Sequence, residues 1–191
     1  MRCLLCENLS FSHICNDCQT LFLTPSLYRR KITSNVEVIS FYKYKEIKEL
    51  LHTKHTDIGF YIYSILAKNS FSKFTDSFIY DTIINSIAID DNPKDSYSHT
   101  AILNNSLKSK YIKPLHSKLR AKNRVTYSGK SRAFRTLNPR DFELTKSDTK
   151  EVIIVDDIIT TGATLNQAIK KLQSEKKDVL FCLTLADVSI K

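Results

Sequence analysis

Residues 152–165 read VIIVDDIITTGATL, and the fold follows from how this stretch is ordered. Val152, Ile153, Ile154 and Val155 make a continuous apolar run, too short for a buried helix and lacking the alternation of a strand with one wet face. Such a run marks a parallel strand covered on both sides. Beyond the turn, Leu165, Ala168, Ile169 and Leu172 recur at i, i+3, i+4 and i+7, the pattern of an amphipathic helix. Residues 179–186 (VLFCLTLA) then form a second continuous apolar strand. Strand, helix, strand is a βαβ unit, so the expected class is α/β, a parallel sheet flanked by helices.

The join between strand and helix carries the chemistry. Asp156 and Asp157 are expected at the carboxyl edge of the sheet, where open α/β folds place their ligands. Thr160, Thr161, Gly162, Ala163 and Thr164 then turn the chain into the helix. The first amides of a helix have no internal partner and lie at the positive end of its dipole, so they suit a phosphate. Gly162 lets the backbone approach the anion, and the threonine hydroxyls add donors. Two carboxylates beside a phosphate must face something else, and ribose hydroxyls, or a Mg²⁺ bridged to them through water, are natural partners. A Walker B strand shares the apolar run and acidic pair, but it requires a GxxxxGK(S/T) loop. The only other glycines, Gly59 and Gly129, supply none.

Upstream, Thr24-Pro25-Ser26 reads as a break and residues 36–42 (VEVISFY) as a strand. Glu46, Ile47, Leu50 and Leu51 set one helical face, and Ile62, Ile65, Leu66 and Ala67 a second. Residues 83–89 (IINSIAI) read as a strand, residues 97–107 as a helix, and residues 108–138, weakly periodic, as loops with short elements.

Four of the five cysteines crowd the first eighteen residues: Cys3, Cys6, Cys15 and Cys18 form CxxC, eight residues, CxxC. Each CxxC turn presents two thiolates to one tetrahedral ion, and this spacing points to zinc. A structural role is expected, because about twenty residues cannot build a core alone; contact with DNA is the secondary reading. His13 is a substitute ligand by chemistry, but four thiolates already complete the shell. Cys182, within VLFCLTLA, reads as a small core residue. No run approaches the roughly 20 apolar residues of a membrane span and the N-terminus lacks a signal-peptide apolar region, so a cytoplasmic protein with no membrane insertion is expected.

The net charge of +9 is unevenly placed. Residues 96–140 contain eleven Lys and Arg and no acid, whereas the other 18 basic residues face all 20 acids. A segment of this kind attracts nucleic acid or a highly phosphorylated small molecule; the plainer reading is a Lys-rich solvated face. Lys118, Arg120, Lys122 and Arg124 are its candidate nucleic-acid contacts, with Tyr111, Tyr127 and Phe134 interleaved for base stacking.

VIIVDDIITTGATL resembles the fingerprint of the type I phosphoribosyltransferases, unbroken through Leu165. The resemblance implies that Asp156 and Asp157 hold the ribose 2′ and 3′ hydroxyls of phosphoribosyl pyrophosphate and that residues 160–164 hold its 5-phosphate. A four-cysteine zinc module (residues 1–24) before a phosphoribosyltransferase domain (residues 25–191) is the layout of the ComF family (competence protein F, or ComFC). Residues 41–59 (FYKYKEIKELLHTKHTDIG) are similar to a segment of that family through Lys54, although Asp57 precedes Gly59 where the family has Gly-Asp. Residues 128–142 (SGKSRAFRTLNPRDF) match through Arg135, Asn138 and Phe142. The family implies a role in natural transformation, acting on incoming single-stranded DNA in the cytosol, with a DNA-uptake helicase as a partner; nucleotide salvage or purine metabolism is the alternative. The pyrophosphate loop departs from the family, where VPVPLHPKRLRERGFNQ is usual. Pro114-Leu115-His116-Ser117-Lys118-Leu119-Arg120 is a tempting match, but no strand precedes it. Residues 87–103 (IAIDDNPKDSYSHTAIL) fit better, which puts Asp90, Asp91 and Lys94 in the loop, with His99 as a donor or a helix-start residue. So acidic a loop requires Mg²⁺ or borrowed cations to hold a diphosphate. No residue identifies an acceptor for the ribosyl group.

Overall fold

A computed structural model describes residues 1–90, 97–123, 140–148 and 150–190. Among the described residues seven strands form one sheet: β1 (Tyr28–Lys31), β2 (Glu37–Lys43), β3 (Ile84–Ile89), β4 (Ile112–Ala121), β5 (Phe142–Leu144), β6 (Glu151–Ile159) and β7 (Asp178–Asp187). Their order across the sheet is β1-β2-β7-β6-β3-β4-β5. The five central strands run parallel, and β1 and β5 close the two edges antiparallel. Among the described residues the α-helices are α1 (Asn16–Phe22), α2 (Tyr44–Leu51), α3 (Asp57–Ala67), α4 (Lys73–Ser77), α5 (His99–Asn105) and α6 (Ala163–Ser174). Helix α3 passes into α4 through one wide turn, Lys68–Ser72.

Alternation along β6 explains why its apolar run needs cover on both faces. Ile153 and Val155 join a core layer with Leu51, Ile62, Leu66 and Leu103 from the α2, α3 and α5 side, whereas Val152 and Ile154 pack with Leu165, Ala168, Ile169 and Leu172 of α6. Each large aliphatic side chain so buried contributes roughly 1.5–3 kcal/mol. The α/β class expected from the sequence is the one observed. The cysteine-rich segment shares the first layer: Ile14 and Leu23 are buried in it, Tyr42 donates a hydrogen bond to the Leu23 carbonyl, and Asn69 donates to Gln19 of α1.

Part of the basic segment expected as loops is instead the ten-residue strand β4. Its register against β3 moves from Ile87↔Leu115 to Ile89↔Leu119, and Ser117 takes a left-handed φ of 55°. This bulge destroys the alternation by which a strand is read. The Pro114–Arg120 stretch thus lies within a strand and is not a loop leaving one. Edge strand β1 is a further element that the sequence conceals, because Arg29, Arg30 and Lys31 mask it. Among the described residues no helix is long and apolar enough to cross a membrane.

Candidate functional site

Strand β6 runs to Ile159, so Asp156 and Asp157 lie within its last turns of pleat and not beyond it. Both are buried, at 9% and 8% exposure. Neighbouring positions on a strand face opposite ways, which gives the two carboxylates different company. Asp157 Oδ2 is 3.1 Å from Lys54 Nζ and 3.3 Å from His99 Nε2. Lys54 sits in the tight turn after α2, and His99 opens α5, whose N-cap Ser98 accepts from the Ala101 amide. Tyr97 closes the arrangement by donating to the Lys54 carbonyl at 2.7 Å.

Burial pushes the Asp156 carboxyl above its usual range, the Asp157 charge pushes the same way, and Arg140 opposes them less strongly. Burial acts on Asp157 too, but the hydrogen bond from His99 and the charge of Lys54 outweigh it and hold that carboxyl well below the carboxylate range. Two acids adjacent in sequence are therefore set to opposite protonation behaviour by their neighbours.

The turn after β6 opens into a small depression lined by Asp156, Thr160, Gly162, Ala163, Thr164 and Leu165 among others. Gly162 has φ +78° and is the N-cap of α6, and a Cβ there would lie 2.9 Å from Ile32 Cγ2. Left-handed backbone and contact with Ile32 require the glycine, in addition to the anion approach expected from sequence. Thr161 Oγ1 points back to the Ala163 amide at 3.4 Å, while Thr160 and Thr164 border the depression. Asp156 thus shares the depression with Thr160, Gly162, Ala163 and Thr164, while Asp157, next along the strand, turns to Lys54 and His99.

Asp90 follows β3 with a left-handed φ of 50°. Its Oδ1 accepts from the Ala121 amide at 2.7 Å and its Oδ2 pairs with Arg140 Nη1 at 2.9 Å. Both oxygens are thus engaged in tying the ends of β3 and β4 to the chain before β5. Asp91 and Lys94 of the same expected loop, and Arg124 of the basic segment, lie outside the described residues. Lys118 Nζ donates to the Lys146 carbonyl, whereas Arg120 and Lys122 project to solvent at the end of β4.

Four sulfurs gather at the N-terminus. The Sγ atoms of Cys3, Cys6, Cys15 and Cys18 all lie within 4.8 Å of one another, with Cys6 and Cys15 at 3.7 Å. A tetrahedral zinc with Zn–S of about 2.3 Å separates its sulfurs by about 3.8 Å, so the cluster fits the ion. The Leu5 and Cys15 amides donate to Cys3 Sγ. Burial pushes that thiol up, but these and neighbouring donors lower it to about 6, whereas Cys18 is pushed up by burial and Cys6, against a hydrogen bond from the Asn8 backbone, by its neighbouring thiols. His13 is not part of the cluster; its ring stacks on Tyr61 of α3, with centroids 4.5 Å apart.

The mainly parallel sheet, with an acidic pair at the end of β6 and a glycine-capped turn into α6, defines an α/β domain of the phosphoribosyltransferase type. The chain belongs to the PRTase-CE family, whose model matches residues 28–190. No curated protein matches it. Among solved structures it is similar to an adenine phosphoribosyltransferase, at 14% identity over 90% of this chain and 89% of that one, with a TM-score of 0.42. A hypoxanthine phosphoribosyltransferase from Staphylococcus aureus shares 19% identity over 65% of this chain, with a TM-score of 0.39, and the match spans 62% of that enzyme's length. An orotate phosphoribosyltransferase from Aeropyrum pernix shares 15% identity over 90% of this chain and 80% of that one, with a TM-score of 0.38.

Lys54 is marked in the sequence only through a family resemblance, and His99 only as a donor without an assigned partner. Their meeting on Asp157 spans three elements. Arg30, which reaches the Thr160 carbonyl at 2.7 Å, carries no such mark. Its one signal is the alternation of Tyr28, Arg30, Ile32 and Ser34 in an otherwise charged stretch.

Proposed function

We propose that this protein binds phosphoribosyl pyrophosphate, with the ribose hydroxyls on Asp156 and Asp157 and the 5-phosphate on residues 160–164. The observation that carries this reading is the depression after β6, where the buried Asp156 adjoins the turn whose left-handed Gly162 opens α6, with the buried Asp157 next along the strand. Mg²⁺ accompanies the diphosphate, and zinc fills the Cys3, Cys6, Cys15 and Cys18 cluster as a structural ion. Titration with phosphoribosyl pyrophosphate and Mg²⁺, followed by calorimetry, tests it. Saturable binding lost on Asp157→Asn supports the reading, and no binding by the wild-type chain sinks it.

The cellular role we assign is that of the ComF family: natural transformation, handling incoming single-stranded DNA in the cytoplasm alongside a DNA-uptake helicase. Its support is the zinc-type module ahead of the phosphoribosyltransferase-type domain and the exposed Arg120 and Lys122 on β4. A pyrophosphate-release assay with Mg²⁺ and cell extract decides between ligand binding alone and the alternative, a catalytically active phosphoribosyltransferase of nucleotide salvage or purine metabolism. Release abolished by Asp156→Asn and Asp157→Asn would establish the enzyme.

A further inference from the structure

The hairpin of β1 and β2 has no part in that reading, yet it meets the 160–166 segment at three successive inward positions. Tyr28, Arg30, Ile32 and Ser34 turn inward while Arg29, Lys31, Thr33 and Asn35 are exposed. Arg30 Nη2 donates to the Thr160 carbonyl at 2.7 Å. The same guanidinium grips Asp187, with Nε 2.6 Å from Oδ2 and Nη2 3.2 Å from Oδ1. Asp187 is 1% exposed at the end of β7, and it pairs in register with Ile159 of β6. Two residues on, Ile32 occupies the space beside Gly162. Two further on, the Ser34 amide donates to Asn166 Oδ1 at 2.9 Å, and Asn166 Nδ2 donates to the Gly162 carbonyl at 3.0 Å.

The consequence lies in the geometry of a peptide. In a planar trans unit the N–H points opposite to the C=O. A Thr160 carbonyl held on Arg30 therefore aims the Thr161 amide to the other side of the turn. A carbonyl facing the anion would repel it, whereas an amide facing it attracts. Arg30 is suited to this work because its planar guanidinium lies against the Asp187 carboxylate while Nη2 donates to the Thr160 carbonyl, a geometry an ammonium cannot reproduce. Asp187 in turn fixes the guanidinium from the neighbouring strand.

We propose that the β1–β2 hairpin preorganises the 160–164 turn for a sugar 5-phosphate, with Arg30 as a positioning residue acting through Thr160 and Asp187. This rests on the reading of that turn as the 5-phosphate site. Preorganised donors bind more tightly because the ligand need not order them.

The test compares wild type, Arg30→Met, Arg30→Ala and Asn166→Ala with ribose 5-phosphate, phosphoribosyl pyrophosphate and inorganic pyrophosphate with Mg²⁺. Arg30→Met is expected to weaken the first two ligands by the same factor, about 10- to 100-fold, the worth of a charge-assisted hydrogen bond. Pyrophosphate affinity should stay at the wild-type value, and added guanidinium ion should restore part of the loss in Arg30→Ala. Unchanged affinity in Arg30→Met, or an equal loss for all three ligands, would overturn the proposal. Should Arg30→Met not fold, Asn166→Ala decides by the same selective loss. A wild type that binds neither sugar phosphate would remove the site reading itself, and that result is distinct from binding that is indifferent to Arg30.

Discussion

Lys54 Nζ and the Asp157 carboxylate are 103 residues apart in sequence and 3.1 Å apart in space, and His99 Nε2 reaches the same oxygen at 3.3 Å. One buried carboxylate thus ties the turn after α2 and the start of α5 to the end of β6. A ligand hydroxyl that binds Asp157 enters an existing network whose positions are already fixed.

That network sets the first prediction. Asp157→Asn removes a buried charge that Lys54 and His99 face, and leaving the Lys54 ammonium unmatched should cost about 1–3 kcal/mol of stability near neutral pH. Because the folded-state carboxyl titrates below its ordinary value of 3.8, its contribution is present above that value and is lost as pH falls through the lowered one. Urea denaturation of both proteins should show a gap that closes in acid. A gap that stays constant down to strong acid would mean that the pairing does not stabilise the fold.

Asp156→Asn should behave in the opposite sense. Its carboxyl is raised above 3.8 by burial and by the Asp157 charge, so the folded state holds a proton that the unfolded state has released, and stability falls as pH rises through that window. A neutral amide escapes this loss. The variant should gain on the wild type between about pH 4 and about pH 8 in thermal unfolding, while binding phosphoribosyl pyrophosphate more weakly. A stability difference independent of pH would contradict the assignment.

The parts of the fold legible in the sequence are those where side chains answer to one periodicity. Residues 152–155 and 179–186 are uniformly apolar because helices cover both sheet faces, and Leu165, Ala168, Ile169 and Leu172 keep the helical spacing of α6. Strand β4 escapes notice because the bulge at Ser117 breaks its phase, and β1 because an antiparallel edge carries charges that discourage further pairing. At the site, the motif 156–164 is readable because strand, turn and helix are contiguous. Lys54, His99 and Arg30 arrive from separate elements, and no local pattern states which carboxylate or carbonyl each will meet. Asp90, expected in a diphosphate loop, likewise meets partners that no local pattern states, the Ala121 amide and Arg140.

Gly162→Ala tests the turn directly. The left-handed φ of +78° and the 2.9 Å approach to Ile32 Cγ2 both oppose a side chain. A loss of about 1–2 kcal/mol is expected from the backbone conformation alone. The thermal shift produced by phosphoribosyl pyrophosphate should shrink with it, since relief of the clash must move either the turn or the hairpin. An alanine variant with wild-type stability and ligand shift would show that neither restraint matters.

For the cysteine cluster, Co²⁺ substitution supplies a spectroscopic readout. Four thiolates around Co²⁺ should give the intense thiolate-to-metal absorption of a tetrahedral site, abolished by Cys6→Ser combined with Cys15→Ser. Chelation should also lower the melting temperature of the whole chain, because Ile14 and Leu23 lie in the same core layer as Phe41 and Ile62. A chain that binds no metal, or melts identically with and without it, would leave the cluster without a structural role.

The basic strand gives a quantitative forecast for single-stranded DNA. Lys118 is anchored on the Lys146 carbonyl, while Arg120 and Lys122 are exposed on β4 and just past its end. Neutralising Arg120 and Lys122 should therefore flatten the plot of log affinity against log salt, by about 0.7 for each DNA phosphate that the protein no longer neutralises. Lys118→Gln should change the slope less, because its ammonium already has a partner within the protein. Should the slopes of all three variants match the wild type, β4 is a solvated face and the net charge of the segment serves solubility alone.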